Sequence, residues 1–177
     1  MSIHFSLRAA APHDVPAIVD MITELAEFEH LAHQLQLTPE RLHCHLFGAR
    51  PVVEAVVAEL AQADDGGPAS AAPPVVAYAL FFTNFSTFLG QPGLYLEDLY
   101  VRPAQRGRGI GQALLRHLGA LAVARDYGRF EWTVLDWNAN AIRLYEKMGA
   151  TVMPEWRICR VTGAQLAGFA ATDLPAA

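Results

Sequence analysis

Residues 94–135 restrict the fold more than any other part of this 177-residue chain. Leu94–Val101 reads as a strand. Gly109–Arg125 then repeats Ile110, Ala113, Leu114, His117, Leu118, Leu121 and Ala122 at helical spacing, and Arg129–Leu135 reads as a second strand. Two strands joined through a helical crossover lie parallel. The chain must therefore contain at least one parallel strand pair.

The surrounding sequence sets the rest of the sheet. Ile3–Arg8 alternates apolar and polar residues, as a half-buried strand does. His13-Asp14 offers a cap, and Val15–His30 carries Val15, Ile18, Val19, Ile22, Leu25, Ala26 and Glu29 at helical spacing. Thr38, as N-cap, and Pro39 open a second helix expected to end near Gly48. Val52–Leu60 and Val75–Thr83 read as strands, and "NFSTFLGQPG" as the turn before Leu94. Short connections among the three central strands imply antiparallel pairing. Asn138–Met148 reads as a helix closed by Gly149, Arg157–Thr162 as a last strand, and the tail from Gly163 as one helical turn or two. The order β-α-α-β-β-β-α-β-α-β belongs to the α/β class, with a central mixed, mostly antiparallel sheet flanked by helices on both faces. Residues 62–74 are expected to be a flexible hairpin loop within a single domain spanning 1–177.

Composition narrows the function. A hydrophobic content of 53% against 18% charged residues marks an ordered globular chain with a sizeable core. A net charge of −5 argues against nucleic acid as an obligate partner. Cys44 and Cys159 are far apart and form no CxxC, so both are expected as free thiols, buried as small hydrophobes in a reducing compartment. The histidines of "HCH", His43 to His45, alternate along a helix and do not converge, so no metal site is expected. The N-terminus lacks signal-peptide architecture and no apolar run reaches membrane-spanning length. A cytoplasmic protein without a membrane partner is the expectation.

The junction "LEDLYVRPAQRGRGIG", Leu96 to Gly111, carries the chemistry. A glycine-rich turn between a strand and a helix leaves the first helical N–H groups without partners. The helix dipole adds about half a positive charge there, and glycines let backbone approach an anion. Arg106 and Arg108 can add charge-assisted bonds. The turn lacks the Gly-Lys-Ser/Thr ending of a P-loop. It also follows an antiparallel meander rather than opening a dinucleotide fold. A surface turn with two solvated arginines is the plain alternative. Glu97 and Asp98 stand just before the turn, where carboxylates would repel a phosphate. Neighbours on a strand face opposite ways, so the two acids are expected to diverge.

"QRGRGIG" resembles the acetyl-CoA pyrophosphate loop of the GNAT N-acetyltransferases. "MITELAEFE", "LYLEDLYVRP", "FEWTVLDWNANAIRLYEKMGA" and "EWRICRVTG" resemble, in the right order, the diamine (spermidine/spermine) acetyltransferases of that superfamily. The resemblance implies the GNAT fold, acetyl transfer from acetyl-CoA to a primary amine, and a homodimer. It implies that Leu99, Tyr100 and Val101 offer backbone to the pantetheine arm, as an added strand would receive it. Arg106, Gly107, Arg108, Gly109, Ile110, Gly111 and Gln112 would hold the pyrophosphate. Asn138, Ala139, Asn140 and Ala141 would line the far side of the thioester channel. Tyr145 falls at the general acid, and Phe28, Glu29, Glu97, Glu131, Trp132 and Thr133 at positions contacting the amine.

The chemistry has use for these types. An alkylamine near pKa 10.4 is almost wholly protonated at pH 7, and freeing its lone pair costs about 4.6 kcal/mol. A carboxylate can receive that proton, and Glu97 is the candidate base. The same carboxylate stabilises the ammonium, so Glu97 also serves binding. Tyrosine stays protonated at neutral pH and is available to donate to a leaving thiolate. Against the polyamine enzymes, "NFSTFLG" places Ser86 where they carry an acid, which leaves room for a short diamine or a thialysine-like amino acid. A protein lysine or N-terminal acetyltransferase, and a non-catalytic acyl-CoA sensor, are the alternatives.

Overall fold

The computed structural model describes residues 4–61 and 73–171. The loop expected over 62–74 lies, for residues 62–72, outside the described residues. The chain divides into two compact units, Met1–Thr133 and Val134–Ala177.

The first unit holds β1 (Phe5–Ala9), α1 (Val15–Phe28), α2 (Pro39–Phe47), β2 (Glu54–Leu60), β3 (Val75–Ser86), β4 (Gln91–Val101), α3 (Ile110–Ala124) and β5 (Arg129–Trp132). Its sheet runs in the order β1-β2-β3-β4-β5. The first four strands are antiparallel to their neighbours, and β4 and β5 are parallel, as the crossover helix requires.

Alternation assigns the faces. Val57, Tyr78 and Tyr100 lie in register across β2, β3 and β4, and pack under Val15, Ile18 and Met21 of α1 and Leu42 and Leu46 of α2. The intervening Val56, Ala79, Phe81, Leu94 and Leu96 are buried on the opposite face. There α3 buries Ile110, Leu114, Leu118 and Ala122. Each buried leucine, isoleucine, valine or phenylalanine among them contributes about 1.5–3 kcal/mol by leaving water.

Local chemistry fixes the helix starts. Thr38 Oγ1 accepts from Arg41 N at 3.3 Å, with Pro39 at the first helical position. Asp14 is buried before α1 and accepts from Ala11 N at 2.7 Å and from Arg8 at 2.6 and 2.9 Å. Burial pushes its carboxyl up, but the Arg8 and Ala11 bonds outweigh that and hold it below its ordinary value.

Four details depart from the sequence reading. β3 continues through Asn84, Phe85 and Ser86, which pair with Gly93, Pro92 and Gln91. Ladder bonds there override the turn-like composition. β5 stops at Trp132, three residues early. The cysteines are not buried: both are exposed, Cys44 lying on α2 away from the inward Leu42 and Leu46. The β3–β4 ladder pairs Leu80 with Asp98 and Phe81 with Leu96. Glu97 is left over as a β-bulge, which interrupts the simple alternation expected there.

The second unit contains α4 (Ala139–Lys147) and α5 (Gly163–Ala171). Asn138 Oδ1 caps α4 by accepting from Ala141 N at 3.2 Å, and Gly149 ends the turn with φ 94°. The strand expected at Arg157–Thr162 does not form. Alternation marks a face, but a strand also needs a neighbour's ladder, and Trp156 and Ile158 are exposed.

Candidate active site

The acid end of the site is built around Asp98. Tyr78, in the middle of β3, donates its hydroxyl to Asp98 Oδ2 at 3.4 Å. The Asp98 carboxyl is raised to about 6, first by burial, then by the charges of Glu97 and Glu29. The Tyr78 bond only partly offsets this. Burial also raises Glu29, the C-cap of α1, and pushes Tyr78 well above its ordinary value. Three carboxylates thus share one place, a poor arrangement for a structural core and a good receptor for a cation. The structure brings Glu29, Glu97 and Asp98 together through the end of α1 and the bulge of β4. The acids do not simply diverge. Glu97 is exposed, and the neighbouring Asp98 is the half-buried carboxylate with the shifted pKa.

The other end is backbone. The β4–β5 ladder ends at Leu96 opposite Trp132, whereas β4 runs on beside β3 to Val101. From Glu97 to Val101, β4 has no ladder partner on its β5 side among the described residues. The glycine turn follows. Gly107 and Gly109 adopt φ of 74° and 83°, left-handed values that glycine reaches without strain. Gly109 caps α3, whose first bond runs from Ala113 N to Gly109 O at 2.9 Å. The amides of Ile110, Gly111 and Gln112 precede that bond and have no helical acceptor. A Cβ at Gly111 would lie 3.6 Å from Leu99 and Val101, which places those two side chains on the α3 face.

Arg106, expected at the pyrophosphate with a solvated surface arginine as the plain alternative, is exposed but packs against two rings. Its guanidinium carbon lies 5.4 Å from the centroid of the Phe28 ring and 5.3 Å from that of Tyr100. Its Nε donates to Val101 O at 2.9 Å. Tyr100 in turn donates to Glu24 at 3.0 Å, and Glu24 pairs with Arg102 at 3.4 Å. Arg106 therefore clasps the last turn of α1, which carries Phe28 and Glu29, to the end of β4. Arg108 is exposed beside it.

Glu131 lies on the Asp98 face of the sheet, in register with Tyr95 and Phe82, whose ring centroids are 5.0 Å apart. Trp132 alternates to the α3 face, its ring centroid 4.7 Å from that of Phe130. Thr133 is exposed after the strand ends. Asn138, Ala139, Asn140, Ala141 and the half-buried Tyr145 belong to the second unit, on or beside α4. Sequence reasoning missed Tyr78 and Asn84, and read Tyr100 for its backbone without its side chain's bond to Glu24. A tyrosine inside the apolar run "VVAYALFF" was the available sign of a polar group needing a partner. Among the described residues no cluster of histidine, cysteine or acid side chains could hold a metal ion, and no helix is long and apolar enough to cross a membrane.

A strand with an unpaired edge running into a left-handed glycine turn and a helix N-terminus is a known arrangement. The model of the acetyltransferase (GNAT) family matches residues 20–150. The chain belongs to the GNAT acetyltransferase family. This GNAT enzyme is 35% identical to L-ornithine N5-acetyltransferase NATA1 of Arabidopsis thaliana over 89% of this chain and 84% of that protein. It is 38% identical to thialysine N-epsilon-acetyltransferase of Mus musculus over 84% of this chain and 85% of the relative. Among solved structures, an integron cassette protein from the mobile metagenome of V. cholerae shares the fold with a TM-score of 0.73 at 23% identity, covering 97% and 99% of the two chains. An aminoglycoside acetyltransferase from a soil metagenome does so with a TM-score of 0.69 at 15% identity, covering 89% and 95%.

GNAT N-acetyltransferases use acetyl-CoA, and the residues present suit such a donor. The open β4 edge matches an extended amide-bearing arm. The unpartnered amides at the start of α3 match a pyrophosphate. The carboxylates lie at the far end of that edge from the turn, so they need not oppose the phosphates.

Proposed function

We propose that the protein transfers the acetyl group of acetyl-CoA to the terminal primary amine of a small cationic substrate, a diamine, a polyamine or a thialysine-like amino acid, by direct attack in a ternary complex. The observation that carries this reading is the cluster of Glu29, Glu97 and Asp98, in which Asp98 is raised to about 6. A carboxylate there is ionised at neutral pH, attracts an ammonium, and is a stronger base than an ordinary aspartate. Asp98 is the favoured proton acceptor, with Glu97 beside it on the bulge drawing in the cation.

The amine lone pair forms the new N–C bond as the C–S bond breaks. The amine proton passes to the Asp98–Glu97 pair, directly or through water. Bound acetyl-CoA supplies the activated acyl carbon. Backbone from Leu99 to Val101 orients the donor, and the turn from Gly107 to Gln112 neutralises its phosphates. Tyr145 is proposed to give its phenolic proton to the leaving sulfur, on the strength of the family resemblance of "NANAIRLYEKMGA". The similarity to ornithine and thialysine acetyltransferases supports a short amine acceptor. The same resemblance extends the proposal to a cytoplasmic homodimer.

An amine panel tests the reading: CoA release from acetyl-CoA with putrescine, spermidine, thialysine, lysine, ornithine and a lysine-containing peptide. Turnover of the small amines and none of the peptide is expected. Tight acetyl-CoA binding with no transfer to any amine would establish a sensor instead. Tyr145→Phe is expected to lower kcat about 10²- to 10⁴-fold while leaving acetyl-CoA affinity near wild type. Unchanged turnover removes the role.

A further inference from the structure

One sheet row beyond Asp98 stands a cluster of different character. Asn84 donates from Nδ2 to Glu131 Oε1 at 2.6 Å, and Arg129 Nη2 approaches the same oxygen at 3.0 Å. Arg129 Nη2 also donates to Phe85 O at 3.2 Å. Packing holds the group in place: a Cβ at Gly93 would sit 2.5 Å from Asn84 Oδ1 and 2.8 Å from Arg129 Cγ. Yet the pair remains reachable, with the Arg129 and Glu131 side chains 35% and 40% exposed. Arg129 Nη1 and Glu131 Oε2 make no bond among the described residues. The cluster thus offers one cationic donor and one anionic acceptor, side by side.

Its position relative to Asp98 follows from the ladder. Tyr78, Leu80, Phe82 and Asn84 alternate onto one face of β3, and Asp98 pairs with Leu80 while Tyr95 and Glu131 share the row of Phe82. Two residues along a strand is about 7 Å and one strand across is about 4.8 Å, so Glu131 lies about 8 Å from Asp98 on the diagonal. The rings of Phe82 and Tyr95, tilted against one another, stand beside Glu131 in its row.

The geometry points to an amino-acid headgroup subsite: Arg129 receives an α-carboxylate and Glu131 the adjacent α-ammonium of a substrate whose terminal amine reaches Asp98. This rests on the acetyltransferase reading and goes further by choosing the substrate class. The decisive feature is charge. A receptor for the second ammonium of a plain diamine would be net negative, but Arg129 cancels Glu131. The neutral pair matches a zwitterion, whose two charges are equally balanced and equally close. Ser86, buried and accepting from Leu89 N at 3.2 Å, contributes no further acid at this end of the sheet.

Steady-state kinetics on matched substrates test this. L-Ornithine and putrescine differ only by the carboxylate, as do L-lysine and cadaverine. The wild-type enzyme is expected to favour the amino acid of each pair in kcat/KM. Arg129→Gln should raise KM for ornithine about 10- to 100-fold and, by leaving Glu131 uncompensated, keep or lower KM for putrescine, whose retained turnover also shows that the variant folds. Arg129→Lys should recover part of the loss. Glu131→Gln should weaken both substrates, since each carries a second ammonium. An unchanged ornithine-to-putrescine ratio in Arg129→Gln overturns the subsite. So does a wild-type preference for putrescine, which would leave the acetyltransferase reading intact. Acetylation of none of the four, nor of spermidine or thialysine, would overturn both.

Discussion

The two faces of the central sheet are built to opposite rules. Under α3 the sheet presents Val56, Ala79, Phe81, Leu94 and Leu96, all apolar and buried. Under α1 and α2 it mixes Val57 and Leu80 with Tyr78, Tyr100 and Asp98, and beyond the helices it opens onto Glu131 and Arg129. The first face obeys the ordinary demand that buried groups be apolar or paired. The second violates it by crowding carboxylates, and it spends stability to hold an ionised acid where water is scarce. One face is scaffold, and the other is the one proposed to carry the chemistry.

Substitutions that separate these roles test the contrast. The largest effect is expected from Asp98→Asn, with kcat/KM falling about 10²- to 10⁴-fold. Stability should move the other way. The folded-state pKa of Asp98 is raised from 3.8 to about 6, so folding favours its protonated form. Ionised Asp98 therefore costs stability, a penalty absent at pH below the unfolded pKa and complete above about 6. Asp98→Asn removes that cost, and its denaturation midpoint at neutral pH should match or exceed the wild type. In the wild type, kcat/KM should fall as pH drops through about 6, where Asp98 gains a proton and can no longer accept one. A pH profile without that acid limb would transfer the role to Glu97.

Leu114→Ala on the scaffold face should do the reverse. Leu114 is fully buried, and its truncation should cost about 2–5 kcal/mol in chemical denaturation. The folded fraction should keep wild-type KM values for both substrates. The smallest effect is expected from Arg106→Met, which keeps bulk between Phe28 and Tyr100 but removes the charge. Loss of the clasp should raise the amine KM several-fold, about 1 kcal/mol, through misplacement of Glu29. An equal rise in the acetyl-CoA dissociation constant would show that Arg106 serves the phosphates as well.

Local rules made much of this legible. Helical spacing, the Thr38 cap and the Gly149 end of α4 all follow from residues close in sequence. The parallel β4–β5 pair followed from one helical crossover. What escaped was the outcome of meetings between distant residues. Nothing in "LEDLYV" announces a bulge, because the extra residue is defined only against β3. The upward shift of Asp98 comes from burial, from Glu97 and from Glu29, sixty-nine residues away, against the opposing bond from Tyr78, twenty residues away. Arg106 was legible as a cation beside a phosphate loop, but not as the filling between two rings from α1 and β4.

The bulge at Glu97 also bears on how such a strand tolerates lost codons. Deleting one residue from a regular strand turns every later side chain to the wrong face. Here Leu80 pairs with Asp98 and Phe81 with Leu96, so removing Glu97 would join two residues that already alternate correctly. The ladder would close, Leu99 and Val101 would keep facing α3, and Tyr100 would keep facing Glu24. Glu97 is thus a residue the scaffold can do without. A chain lacking it should fold as a smoother sheet, with any loss read in turnover rather than in the denaturation midpoint.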